Sequence, residues 1–499
     1  MAKKKVGIIG AGFGGLSAAI KLANAGFEVT IFEKNDHACG KASFIKEKGF
    51  RFDKSPSLLT MPFVVEQLFE GVGENLSDFV KINKLDNYCK YFWSDGIIIN
   101  AYSDLSLFQE EIKKISHKDS QALNDFLKYT KNIYDLTADI FLFKSFSEAK
   151  TFFNLKSLKT LFQIWKIDPF RSMNEAIRSF FENEKVVQLF NRYATYNGSN
   201  PYKAPATLNI IPHVEYNIGG YIPDKGIYSL VEAIYQLALK KNVQFNFNSD
   251  VKKIVVRNKK VSKLLFERIG KSEEKEFDVI ISNADVNFTY QNLLKGYNIK
   301  SAKRYLKLEA SSSAMVFYWG VSGIHDSLEV HNILFSDNYK KEFEEIFERK
   351  ILPSDPTIYI YISSKLNNND APPNCENWFV MINTPNNCGQ DWNREELKIR
   401  EKIIDKIHRI TGIDLKDKII FERTLNPKII EELTSSFRGS LYGISSNDRN
   451  AAFLRQQNRS KEIEGLYFCG GSAHPGGGIP LTILSGKITA DLVIKHESK

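Results

Sequence analysis

Two apolar runs of strand length, one near each end of the chain, stop on glycine. Val6-Gly7-Ile8-Ile9 carries no polar side chain and breaks at Gly10-Ala11-Gly12-Phe13-Gly14-Gly15. An Ala- and Leu-rich helix follows as far as Gly26, and Phe27-Glu28-Val29-Thr30-Ile31-Phe32 reads as a second strand closing on Glu33. At the other end, Leu466-Tyr467-Phe468-Cys469 is a strand that meets Gly470-Gly471. Beyond it, Leu481, Leu484, Ile488 and Leu492 mark the buried stripe of a helix starting at Pro480 or Leu481, with Gly486 and Ala490 allowing close packing.

Between these ends the pattern changes repeatedly. Val64, Leu68 and Phe69 share one face of a predicted helix over 63–72. Residues 88–93 and 96–99 read as a hairpin across Ser94-Asp95-Gly96. Residues 104–187 are mostly helical in pattern, and 193–201 and 219–226 read as loops rich in turn formers. Leu230, Ile234, Leu237 and Ala238 define a helix over 227–241, followed by a strand at 243–247. Residues 251–261 and 264–267 read as hairpin strands, and 277–285 as a buried strand with a polar end. The runs 314–319, 358–362 and 378–382 are apolar and aromatic, and they suit a sheet with one face on a greasy cavity. Asn367-Asn368-Asn369-Asp370-Ala371-Pro372-Pro373 reads as a surface loop.

The first forty residues carry recognisable chemistry. Gly10 permits a tight turn, Gly12 lets a pyrophosphate approach the backbone, and Gly15 lets helix and strand pack closely. The helix then presents free N–H groups and a partial positive charge to the phosphates. Glu33, 18 residues after Gly15, is placed to accept a hydrogen bond from a ribose hydroxyl. This is a βαβ dinucleotide site. Gly40-Lys41, directly after the acid, suits a second approach to the pyrophosphate. At the far end Ser472-Ala473-His474-Pro475-Gly476-Gly477-Gly478-Ile479-Pro480 brings a second helix N-terminus out of a glycine loop, where its dipole would suit developing negative charge.

Composition narrows the picture. Hydrophobic content of 43% and charged content of 25% belong to a folded globular chain, and 499 residues imply more than one domain. The net charge of +9 is spread along the sequence without a nucleic-acid motif, so no nucleic-acid partner is expected. The five cysteines form no CxxC pair, which points to a reducing compartment and argues against a redox dithiol. No metal-ligand spacing is present. The start of the chain reads as a strand and not a signal peptide, and no apolar run is long enough to span a bilayer. Residues 140–170 interleave aromatics with lysines. Phe153, Leu158, Leu161, Phe162 and Trp165 fall near one helical face, as in a core helix or one lying at a membrane surface.

The Gly10–Gly15 fingerprint, Glu33 with Gly40-Lys41, Phe52-Asp53 with Ser55-Pro56-Ser57, Gly219-Gly220-Tyr221-Ile222-Pro223, Ser282-Asn283-Ala284-Asp285, Gly439-Ser440-Leu441-Tyr442-Gly443 and the Gly470–Pro480 ending occur in this order. Together, over residues 4–494, they resemble the bacterial carotenoid (phytoene-type) desaturases, FAD-dependent relatives of the amine oxidases. Ser57-Leu58-Leu59-Thr60-Met61-Pro62, His331-Asn332-Ile333-Leu334-Phe335-Ser336 and the Ile479-Pro480-Leu481 ending look more like the branch acting on 1-hydroxylated carotenoids at the 3,4 position. One departure is Cys39-Gly40-Lys41 where the family has Gly-Gly-Arg; lysine keeps the charge and loses the bidentate fork.

The resemblance implies an α/β architecture: a Rossmann-like FAD-binding domain from 1–85, 220–300 and 435–499, interleaved with an α+β substrate domain from 86–219 and 301–434. It implies FAD contacts at Gly10, Gly12, Phe13, Gly14, Gly15, Glu33, Lys34, Gly40, Lys41, Val251, Gly470, Gly471, Gly478, Ile479 and Pro480. It implies hydride removal to the flavin from a saturated bond beside a polyene, followed by proton loss. The carotenoid substrate, living in lipid, favours a cytoplasmic enzyme held peripherally on the membrane, with oxygen or a quinone as final electron acceptor. No catalytic acid or base is assigned; Asp53 and His474 lie in the motifs, where structural roles are as natural. A nicotinamide dehydrogenase fits less well because of Gly40-Lys41 and the late glycine loop. A phytoene-type desaturase, a cis–trans isomerase on the same fold, and a non-catalytic flavin or carotenoid carrier remain alternatives.

Overall fold

The computed structural model describes residues 3–38, 40–54, 57–145 and 167–498. Cys39, Ser55-Pro56 and the predicted amphipathic stretch over 151–166 lie outside the described residues.

The first apolar run becomes β1 (Lys5–Ile9), the glycines lead into α1 (Phe13–Asn24), and β2 (Glu28–Phe32) follows. The chain returns to this nucleus much later. After α2 (Ile227–Lys240) come β3 (Gln244–Asn246) and β4 (Val279–Ser282), and the end supplies β5 (Leu466–Phe468) and α3 (Ile479–Glu497). Among the described residues these five strands form one parallel sheet in the order β3-β2-β1-β4-β5. Their unbroken apolar runs are explained by cover on both faces. On one face Val6, Ile8 and Ile31 pack with α1, α2 and α3. On the other, Phe32, Ile280 and Phe468 pack against Ile254, Leu264 and Phe266 of an antiparallel three-stranded layer over 249–276. Gly7 makes room there, since a Cβ would sit 2.8 Å from the Phe277 ring.

A second sheet carries the aromatic strands. Its order is Ile419–Leu425, Ser313–Ser322, Cys375–Thr384, Ile358–Ile362, His331–Leu334, Asn87–Phe92 and Ile98–Tyr102. Every neighbouring pair is antiparallel except His331–Leu334 with Asn87–Phe92. One face is closed by the helix Trp392–Thr411, whose Trp392, Ile399, Ile403 and Ile407 meet Phe317, Trp319, Ile360 and Val380. The opposite face is only partly covered, and the site lies over it.

Three loop expectations are corrected. Gly220–Pro223 is a strand, held between Leu59–Thr60 and Ile82–Lys84. Residues Arg192–Asn197, overlapping the predicted loop over 193–201, form a 3-10 turn that buries Arg192, Tyr193 and Ala194. Asp370, in the predicted surface loop, is buried and accepts from Ser363 Oγ and Asn367 Nδ2. In each case partners distant in sequence, or a buried polar contact, decide what local composition leaves open. Among the described residues no helix is long and apolar enough to cross a membrane.

Candidate active site

The turn between β1 and α1 is shaped by three contacts. Gly10 has φ +94°, a conformation open to glycine, and its N–H donates to the Phe32 carbonyl at 2.8 Å. The Glu33 carboxylate, buried at 5% exposure, accepts the Ala11 N–H at 2.8 Å and the Asn35 N–H at 3.0 Å. Asn283 donates to the Gly10 carbonyl at 3.2 Å and tucks under Gly12 and Gly14. A Cβ on Gly15 would overlap the Gly10 carbonyl oxygen, which explains why this turn needs glycine there. No side chain caps α1 at Gly12, so its first N–H groups face outward.

Gly40 lies opposite: a Cβ added to it would come within 3.0 Å of the Gly12 Cα. Lys41 beside it donates from Nζ to the Ser440 and Leu441 carbonyls at 2.9 and 2.8 Å. Lys41 is open to the cavity, and desolvation by the walls around it pulls its ammonium down to about 8, with the nearby Asp285 carboxylate partly offsetting this. Burial in turn holds the Asp285 carboxyl above its usual range, with Lys41 pulling the other way.

The late glycine loop closes over the same space. Ser485 Oγ accepts the Gly470 N–H at 3.1 Å and donates to the His474 carbonyl at 2.7 Å, and Asn458 donates to that carbonyl at 2.8 Å. Arg455, fully enclosed, supports the loop through the Tyr442 and Gly471 carbonyls at 3.1 and 3.4 Å. Gly478, φ +99°, precedes α3, which also starts without a side-chain cap. Two helix N-termini built on glycine, from opposite ends of the sequence, therefore open on one cavity.

That cavity holds about 690 Å³ and runs from the glycine turns to the open face of the aromatic sheet. Val316, Met381, Tyr359 and Ile333 occupy four successive strands in direct register and make one row of its wall. Ile210, Ile211 and Val214 face them from the helical segment after Pro205. This is the greasy face expected of the strands at 314–319, 358–362 and 378–382.

Residues 13–306 match the flavin-containing amine oxidoreductases. The chain belongs to that family. It is 44% identical over 493 residues to a 1-hydroxycarotenoid 3,4-desaturase of Flavobacterium sp. (strain P99-3), covering 98% of this chain and 99% of the relative. It is 33% identical to a 4,4'-diaponeurosporene oxygenase of Staphylococcus haemolyticus (strain JCSC1435), covering 100% and 99%. Among solved structures it resembles a triple mutant of putrescine oxidase redesigned in cofactor binding, with TM-score 0.66, 12% identity and 99% of each chain covered. The family cofactor is FAD, and the α/β fold is that of the amine oxidases.

The residues fit such a group. The wall where Gly12 and Gly40 meet is bare backbone, both helix starts are free of side-chain caps, and Lys41 and Arg455 bring positive charge to the lining. Of the sequence-predicted contacts, Gly12, Phe13, Gly40, Lys41, Gly471, Gly478, Ile479 and Pro480 line the cavity. Gly10, Gly14, Gly15 and Gly470 lie beneath that surface and hold its shape; a Cβ on Gly14 would sit 2.9 Å from the Gly470 nitrogen. Glu33 holds the turn, as described. Lys34 instead reaches the end of the helix Pro427–Thr434, at the Glu432 carbonyl and Ser435 Oγ. Val251 packs its side chain with Ile254 and Phe266, although its neighbour Ser249 donates to the Glu33 carbonyl.

Asp53 and His474 have structural partners. Asp53 accepts the first N–H groups of α2, from Ile227 at 2.9 Å and Tyr228 at 3.2 Å, and pairs with Arg51 at 2.9 Å. His474 donates from Nε2 to the Lys144 carbonyl at 2.8 Å, and burial holds its ring down at about 4. Sequence reading did not single out Arg192, buried in a cage of Tyr91, Tyr193, Tyr196 and Glu215. Nor did it find that His331 and Tyr359 turn polar atoms toward an apolar wall. The available signal was a polar residue at an inward position of an apolar strand.

Proposed function

We propose that the chain is an FAD-dependent carotenoid desaturase, removing two hydrogens from a saturated bond next to a polyene, with a 1-hydroxylated carotenoid desaturated at the 3,4 position as favoured substrate. The observation that carries this reading is the continuity of the cavity. The same space is bounded by the uncapped N-termini of α1 and α3 and by the apolar row Val316–Met381–Tyr359–Ile333. The 44% identical relative of that name supports the substrate class.

We assign the pyrophosphate end to Gly10, Gly12, Phe13, Gly14, Gly15, Gly40 and Lys41, the ribose side to Glu33 with Lys34 and Val251 nearby, and the ring end to Gly470, Gly471, Gly478, Ile479 and Pro480. Bound FAD supplies a two-electron acceptor able to take a hydride. The protein's own residues do the rest by placement. The apolar walls exclude water and align a long chain, and the α3 N-terminus offers partial positive charge where electron density arrives. A saturated bond beside a polyene offers no group for a strong base, and the buried Asp53 and His474 are already engaged.

The same reading divides the chain into an FAD-binding part (1–85, 220–300 and 435–499) and a substrate part (86–219 and 301–434), a division supported by sheet membership. It also places the mouth of the cavity at a membrane surface. Phe141, Leu142, Ile167 and Pro169, flanking the predicted amphipathic stretch, line the cavity, and Phe170 is 68% exposed. Oxygen or a quinone is the acceptor that reoxidises the cofactor.

The test is incubation of purified, FAD-loaded protein with liposomal carotenoids under air and with a quinone. Loss of two hydrogens and a red-shifted spectrum support desaturation. Oxygen incorporation would instead favour the chemistry named for the diapocarotenoid oxygenases, and altered geometry at constant composition would favour an isomerase.

A further inference from the structure

His331 begins the strand His331–Leu334 in the middle of the aromatic sheet, and its ring faces the cavity. It is 3% exposed and lies flat on the Tyr361 ring, with centroids 4.9 Å apart and planes at 12°. Its Nδ1 sits 2.7 Å from the Tyr359 hydroxyl, which is in turn hydrogen-bonded to Ser57 Oγ. Its Nε2 is buried without a hydrogen-bond partner among the described residues. A buried polar atom in that state costs stability unless something satisfies it. The surrounding wall offers nothing obvious: Ile333 and Phe379 are apolar, and the parallel register Lys90↔Asn332 puts Cys89 alongside.

We propose that His331 Nε2 is the receptor for the terminal hydroxyl of the carotenoid substrate, held in orientation by the Ser57–Tyr359–His331 hydrogen-bond chain. This rests on the carotenoid reading above and adds the residue that distinguishes a hydroxylated end from a bare hydrocarbon one. Burial, with Arg192 nearby, keeps the ring down at about 3, so it is neutral near pH 7 and carries one N–H. If that proton is on Nε2, the ring donates to the alcohol oxygen. If it is on Nδ1, shared with Tyr359, Nε2 accepts the alcohol proton. An alcohol satisfies either tautomer, which a ketone or an ammonium group does not. An unhydroxylated end would leave Nε2 unpaired at the wall, so the site penalises it as well as rewarding the hydroxylated one.

Full-length, FAD-loaded enzyme in liposomes tests this with a 1-hydroxylated carotenoid and its deoxy counterpart, comparing the ratio of their kcat/KM values. The wild type is expected to favour the hydroxylated substrate by about tenfold or more. His331→Phe is expected to lower that ratio at least about fivefold, chiefly through KM of the hydroxylated substrate, while His331→Gln retains most of it. Tyr359→Phe, a smaller change, is expected to lower the ratio in the same direction and covers the case in which His331→Phe fails to fold. Equal wild-type kcat/KM for the two substrates would overturn the receptor while leaving desaturation standing. So would a ratio that Tyr359→Phe and His331→Phe both leave unchanged. Failure of the wild type to desaturate either substrate would instead sink the functional reading beneath it.

Discussion

Gly486 of α3 lies directly on the Gly14 carbonyl of α1: a Cβ there would overlap that oxygen and stand 2.8 Å from Ser17 Cβ and 2.9 Å from the Ala18 nitrogen. The last helix thus locks onto the first turn of the first helix. Ser17 adds a hydrogen bond to the Ile483 carbonyl at 2.9 Å. The two helix N-termini that bound the cavity are held together by this contact, so the ends of a long chain make one site.

Gly486→Ala is expected to push α1 and α3 apart, costing about 1–3 kcal/mol by overpacking. Denaturant unfolding should show the loss, and the purified variant should retain less FAD than the wild type. Ser17→Ala, which leaves the helices in contact, should cost about 1 kcal/mol and keep the cofactor.

Lys41 gives a pH dependence with a definite sign. Without the dinucleotide its ammonium titrates near 8, and a neighbouring diphosphate would raise that value. Binding then takes up a proton above pH 8, so FAD affinity falls as pH rises through and beyond that point. Titration calorimetry at pH 7 and pH 9 should show the fall. Lys41→Met should bind FAD about tenfold or more weakly at pH 7 and show little of this pH slope.

Asp53 tests whether a motif carboxylate is structural. Asp53→Ala removes the acceptor for the Ile227 and Tyr228 N–H groups and leaves Arg51, 3.7 Å from Asp370, with one carboxylate fewer. A loss of about 3 kcal/mol is expected. Turnover per bound flavin should stay close to that of the wild type at a temperature where the variant is folded. A large fall in kcat with unchanged stability would make Asp53 a catalytic residue.

Val316 lies in the cavity-wall row, and Val316→Trp fills that space. Carotenoid turnover is expected to fall at least about tenfold, with bound FAD and its absorption retained. Loss of FAD together with turnover would mean the row does not bound the substrate part of the cavity.

The sequence made the dinucleotide turn legible because its constraints are local. Gly10, by its positive φ, and Gly15, by its contact with the Gly10 carbonyl, are required by backbone geometry within one turn, and Glu33 closes the next strand where the turn needs an acceptor. The greasy sheet was legible for a related reason, since alternate residues of an apolar strand share a face. What escaped depends on distant partners. Gly220-Tyr221-Ile222-Pro223 has turn composition, yet Leu59–Thr60 and Ile82–Lys84 draw it into a strand. The contact of Lys34 with the carbonyl end of the helix Pro427–Thr434, 398 residues away in sequence, has no local signal either. His331 stands beside Asn332 at the polar start of a short strand, and only the fold shows that its Nε2 lacks a partner among the described residues and its Nδ1 meets Tyr359.

The most direct measurement is an anaerobic single turnover of FAD-loaded enzyme with a 1-hydroxylated carotenoid, followed by rapid-mixing absorption. The predicted result is loss of the oxidised flavin bands at the same rate as a red-shifted polyene spectrum appears, with one desaturated product per flavin. A carotenoid product formed while the flavin stays oxidised, or formed only when oxygen is admitted and incorporated, would contradict it.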